Sequence, residues 1–115
     1  MMEGAAELKV NPHAIVQWSY AKGTGFNNIW EYLQFQMGED GFDPDATLVG
    51  VSIPDESKVY CLNAVASFVL EAVFQGEGVD WICQGLEQLF EVDRDVLRKD
   101  VVDILEDFKE RKILV

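Results

Sequence analysis

An α+β fold, in which a small antiparallel sheet leads into three helices, is predicted by three observations. Thr47-Leu48-Val49-Gly50-Val51-Ser52-Ile53 and the alternating run Lys58-Val59-Tyr60-Cys61-Leu62 flank Pro54-Asp55-Glu56-Ser57, a turn of hairpin length and chemistry. The second of these runs passes directly into Asn63, whose side-chain oxygen suits a helix cap. Three amphipathic segments then fill the rest of the chain. At 115 residues the chain reads as one domain, large enough for a core of its own.

In chain order, residues 1–7 read as a loose tail. Leu8–Val10 and Ala14–Tyr20 read as extended, broken at Asn11-Pro12. Lys22-Gly23-Thr24-Gly25 is a turn. The next segment carries two periods. Phe26, Ile29, Trp30, Leu33 and Met37 recur at helical spacing, whereas Leu33-Gln34-Phe35-Gln36-Met37 alternates like a strand. A short helix over roughly 26–32 passing into an extended piece is the expectation. Residues 38–45 form an acidic, turn-rich loop ahead of the hairpin. After Asn63 the first helix covers 64–74 with Val65, Phe68, Val69, Ala72 and Val73 on one face, and Gly76 and Gly78 end it. The second, about 80–90, buries Ile82, Leu86, Leu89 and Phe90. Asp93 caps the third, 94–112, whose inner stripe is Leu97, Val101, Ile104, Leu105 and Phe108. The whole reads as a winged helix-turn-helix core over 47–115, preceded by an extension and first-strand region over 1–46.

Composition excludes several function classes. The net charge of −12 repels phosphate backbones, so nucleic acid is not the expected partner. Residues 1–78 hold 11 acidic against 3 basic side chains and residues 79–115 hold 10 against 6, which places most of the cations in the last third. Cys61 and Cys83 lie 22 residues apart with no C-x-x-C, and their strand and helix settings suit reduced, buried thiols. No apolar run approaches the roughly 18–20 residues that span a bilayer, and no signal-like segment opens the chain, so a cytoplasmic, membrane-free protein is expected.

No catalytic or metal centre is visible. The single histidine, His13, has no partner at i+4. Asp40-Gly41-Phe42-Asp43-Pro44-Asp45 has the oxygen chemistry for calcium, but proline interrupts the spacing and no glutamate stands at the twelfth position. Gly23-Thr24-Gly25 lacks the Lys-Ser/Thr of a phosphate loop, and a lone histidine leaves a cysteine or serine nucleophile without a base. Function is then expected in a surface. Two surfaces stand out. On the third helix Arg94, Arg98 and Val102 share a face flanked by Lys99, Asp103 and Glu106, which reads either as a solvated face or as one able to hold a mixed apolar–acidic ligand. The strand Lys58–Leu62, last in a small sheet, offers an edge to which an extended peptide can add, unless Lys58 serves to block it.

Tyr60, Leu62 and Asn63, a helix ending at Gly76, then Ile82, Leu86, Leu89-Phe90, Val92-Asp93, Asp100-Val101, Leu105, Phe108 and Ile113-Leu114 together resemble the PqqD family. These are small winged-helix proteins that recognise ribosomally made, post-translationally modified peptides. The resemblance covers roughly 47–115 and implies three strands followed by three helices. It implies no cofactor and no catalysis, but a chaperone: the leader of a precursor peptide pairs with the third strand and packs against the third helix. The core peptide is thereby presented to a modifying enzyme, often a radical S-adenosylmethionine maturase. Carried onto this chain, the peptide-binding candidates are Lys58, Val59, Tyr60, Cys61 and Leu62 with Arg94, Leu97, Arg98, Val101, Val102 and Leu105. Homodimerisation through the open edge belongs to the same resemblance. Three positions depart from the family pattern: Lys112 stands where a glycine is common, Leu70 where a larger side chain is common, and 26–37 has no counterpart in it. A winged-helix transcription-associated or scaffold protein is the alternative, disfavoured because Arg94, Arg98 and Lys99 make too short a basic stripe at this net charge. An enzyme subunit is disfavoured by the missing His/Cys/Asp clusters.

Overall fold

The described residues form three antiparallel strands and four α-helices in the order β1 (Ile15–Gln17), α1 (Ile29–Gln36), β2 (Val49–Ile53), β3 (Lys58–Leu62), α2 (Ala64–Phe74), α3 (Val79–Leu89) and α4 (Arg94–Glu110). This computed structural model describes residues 8–21, 25–26, 28–36, 45–90 and 92–115. The expected tail, most of the Lys22–Gly25 turn, Met37 and the acidic loop through residue 44 lie outside them.

The sheet is a meander in the order β1-β2-β3. Val51 pairs with Val16 on one side and Tyr60 on the other, and Ile53 pairs with Lys58 across the hairpin. Strand alternation sends Val49, Val51, Ile53 and Leu62 into the core. The row Ile15, Ser52, Val59 lies on the opposite face, where Ile15 and Val59 are exposed. Pro54–Glu56 forms a 3-10 turn closed by Ser57 in the left-handed conformation at φ 54°.

The helices begin and end where short-range chemistry dictates. Asn63 Oδ1 accepts the Ala66 amide at 3.0 Å, and Asp93 Oδ1 accepts that of Asp95 at 2.8 Å. Gly76, at φ 82°, closes α2: its amide donates to the Val73 carbonyl and the Glu77 amide to that of Ala72, both at 3.0 Å. The same motif ends α4, with Lys112 to Lys109 and Ile113 to Phe108, but here the left-handed residue is Lys112 at φ 66°. The glycine expected there would relieve a real steric load.

Two expectations for the N-terminal third change. The extended stretch 14–20 is a strand only over Ile15–Gln17 and turns into a 3-10 helix at Ser19–Ala21. The extended piece expected at Leu8–Val10 is present and pairs with the last residues: Val10 bridges Leu114, and the Asn11 amide donates to the Ile113 carbonyl at 2.8 Å. The helix α1 starts and ends later than 26–32, because Asn28 Oδ1 accepts the Glu31 amide and Ile29 and Leu33, one turn apart, are both fully buried. That i, i+4 pair outweighs the alternation of 33–37, and Phe35 is left exposed. This helix packs on α2, so residues before 47 share the core.

Glu71 makes the join between them. Its carboxylate accepts the Tyr20 hydroxyl at 2.6 Å and the Ile29 amide at 2.9 Å. Burial, then the adjacent Glu71 carboxylate, hold the Tyr20 hydroxyl protonated well above its ordinary range. At the centre of the helices Phe68 is stacked on Trp81, 5.8 Å between centroids, and Trp30 lies against it at 6.0 Å. A Cβ on Gly85 would sit 2.7 Å from the Phe68 ring.

Two substitutions test this account by urea unfolding. Lys112→Gly should stabilise the chain by about 1 kcal/mol by removing the left-handed Cβ clash. Gly85→Ala gains helix propensity yet drives a methyl group into a ring confined by two tryptophans, for a net loss of about 1–2 kcal/mol.

Candidate functional site

Because β3 pairs only with β2, its other edge carries main-chain groups that the described sheet leaves unused. Beside that edge, between β3, the start of α2 and the C-terminal half of α4, runs a groove of about 290 Å³. Leu62, Ala66, Ile104 and Phe108 give it an apolar floor. Thr47, Asn63, Asp107 and Arg111 supply polar groups at its rim, with the exposed Cys61 on the strand. The floor is firm for a local reason. Ser67, the one buried polar residue among those described, donates from its hydroxyl to the Leu62 carbonyl at 3.1 Å. The Leu48 amide donates to the same oxygen at 2.9 Å, so β3 ends at Leu62 held from two sides.

Arg111 spans the groove's end. Its Nε donates to Asp107 Oδ2 at 2.8 Å, and its guanidinium lies 4.7 Å from the centre of the Tyr60 ring. The positive charge also faces the negative end of α4. A charged clasp thus joins the α4 C-terminus to the edge strand.

The sequence candidates divide into three sets. Lys58, Val59, Tyr60, Cys61 and Leu62 form the edge strand itself, with Lys58, Val59 and Cys61 exposed, Tyr60 half-buried and Leu62 buried. Leu97, Val101 and Leu105 are buried core residues of α4. Arg94 and Arg98 sit on the side of α4 turned toward α3, where Arg94 pairs with Glu87 and Arg98 with Asp80, and Val102 is exposed further along the helix. Those pairs are solvent-exposed and of the kind that add little stability. The groove face of α4 is the row Ile104, Asp107, Phe108, Arg111. Of these, spacing alone had marked Ile104 and Phe108, as core. Asp107 and Arg111 carried only a weak signal, an i, i+4 charge pair near a helix end.

The thiols also part company. Cys83 is buried, and burial pushes its thiol up from the ordinary value, whereas Cys61 is exposed on the edge strand, which corrects the expectation that both are interior. Among the described residues no group of three or more His, Cys, Asp or Glu side chains is placed to hold a metal ion, and no helix is long and apolar enough to cross a membrane.

A short meander with an open last edge, followed by a helical hairpin and a groove-lining helix, defines a winged-helix domain of α+β class. The chain belongs to the PqqD family: the model of Coenzyme PQQ synthesis protein D matches residues 50–114, from β2 to the C-terminal turn. No curated protein matches it. Two solved structures share the fold. Lasso peptide synthetase B1 complexed with the leader peptide is 15% identical at a TM-score of 0.68, covering 96% of this chain and 99% of that one. TbiB1 in complex with the TbiA(beta) leader peptide is 15% identical at a TM-score of 0.62, covering 92% and 93%. Both likenesses cover more of the chain than the family match over 50–114.

Arg111→Ala removes the ion pair and the ring contact together and should cost about 1 kcal/mol in urea unfolding. Arg111→Lys, which keeps the charge but loses the planar contact, should fall between the two.

Proposed function

We propose that this chain is a non-catalytic peptide chaperone that takes up the leader of a ribosomally made precursor by strand addition at β3 and presents it to a modifying enzyme. The observation that carries this reading is the free β3 edge bordering an apolar-floored groove against α4. An extended peptide laid there gains ladder hydrogen bonds from the edge and a seat for alternate side chains from Leu62, Ala66, Ile104 and Phe108. Family membership supports it, as do two neighbours of the same fold described with bound leader peptides. The modifying enzyme is, by the family resemblance, a radical S-adenosylmethionine maturase or another peptide-modifying enzyme, and the setting is the cytoplasm. Self-pairing of two β3 edges would compete for the same main-chain groups.

The proposed site comprises Lys58–Leu62 and the row Ile104, Asp107, Phe108 and Arg111 along α4 and its C-cap. The face of Arg94, Arg98 and Val102 is the rival placement on the same helix. An amide NMR titration with a leader from the neighbouring precursor reading frame separates them. Shifts should concentrate in β3 and around Ile104–Arg111. Ile104→Glu should weaken binding by about tenfold or more, since it puts a charge on the apolar floor, while Val102→Glu should leave affinity within about twofold. The reverse ranking would move the peptide to the Arg94–Val102 face, and no shifts at high peptide excess would overturn the leader reading.

A further inference from the structure

A second concavity lies between α1, α2 and α3, with a volume of about 280 Å³. Three aromatic rings line it: Trp30, Phe68 and Trp81. Trp81 is 40% exposed although stacked on a buried phenylalanine, so the rings are not all consumed by the core. Around them stand the amides of Asn28, Gln75, Gln84 and Gln88, and one carboxylate, Glu71. No basic side chain is among the lining residues. The volume falls just short of the ~300–1,000 Å³ typical of small-molecule pockets, and so suits a single anchoring side chain.

We infer that this cleft is a docking site for an arginine side chain presented by a partner polypeptide. The argument is one of complementarity. Aromatic faces attract a cation, and a guanidinium also stacks flat on them. Its five N–H groups need acceptors, which the carboxamide oxygens of Gln75, Gln84 and Gln88 and the Glu71 carboxylate supply. Both Glu71 oxygens already accept a hydrogen bond, from Tyr20 and Ile29, which fixes the negative charge in place. The surrounding chain, at net −12, steers a cation toward the site. Gly85 helps shape the cleft, since a side chain there would push the Phe68 ring from its place between the tryptophans.

This site stands apart from the β3 groove, and either assignment survives the failure of the other. The test is an NMR titration of the full chain at physiological salt, with N-acetyl-arginine amide against the citrulline analogue, which has the same shape without the charge. The indole N–H signals of Trp30 and Trp81 should move with arginine only, while the amides of Lys58–Leu62, none of which lines the cleft, should stay still. Trp81→Leu, at a partly exposed helix position, should weaken arginine binding about tenfold. A tripeptide with arginine at its centre should bind more tightly than the single amino acid, because the glutamine rim can meet its flanking main chain. Equal response to citrulline, movement of the Lys58–Leu62 amides alongside the indoles, or no shift at millimolar ligand would overturn the cation site. Equal affinity for tripeptide and single residue would overturn the polypeptide as its source.

Discussion

The junction at Leu62 and Asn63 governs the geometry of this domain. The Leu62 carbonyl is shared by the Leu48 amide and the Ser67 hydroxyl, and the next residue caps α2. A strand ended so firmly cannot lengthen or slip, because a shift of one residue would turn Leu62 outward and uncap the helix. The helices that follow are thereby set beside β3, and α4 comes to rest along an edge that no further strand among the described residues covers. The groove is a by-product of this arrest. Its width is the distance that α2 imposes between the strand and the last helix.

A second junction performs the same office for the N-terminal third. Glu71 binds a hydroxyl from the 3-10 turn and a main-chain amide at the start of α1, and a partly buried carboxylate with two donors has little freedom to leave. This ties α1 to the same helix whose other end is fixed at Asn63. α2 is therefore the common reference of both concavities, since Ala66 lines one and Phe68, Glu71 and Ala72 line the other.

Much of this was legible in the residues. Asn63, Asp93 and the Pro54–Ser57 turn are governed by contacts within three or four residues, and short-range chemistry reads well from spacing. The edge strand was legible for the same reason. The groove face of α4 was not, because the helix has two neighbouring faces that each mix apolar and charged residues. Arg94, Arg98 and Val102 look as suitable as Ile104, Asp107 and Arg111 until Glu87 and Asp80 are seen to meet the arginines from α3. Such partners lie on another element, and no periodicity within α4 announces them. The exposure of Cys61 was missed likewise: it depends on which side of β3 remains uncovered. The helix α1 was misplaced because helical and strand periods overlapped over 33–37, and only burial of Ile29 with Leu33 decides between them.

The seam between the two ends of the chain has a consequence of another kind. Asn11 Nδ2 donates to the Lys112 carbonyl across 101 residues of sequence, and only a few main-chain bonds accompany it, among them Val115 to Lys9. With Ile113 and Leu114 fully buried beside them, these bonds tie the first described residues to the last and close the domain on itself. The seam is fastened to the strained Lys112 turn, one residue beyond the arginine that clasps the groove. Release of the Asn11 and Lys9 bonds would therefore bear directly on that clasp. One end of the groove is thus set by a helix cap at Asn63, and the other by contacts between opposite ends of the described chain.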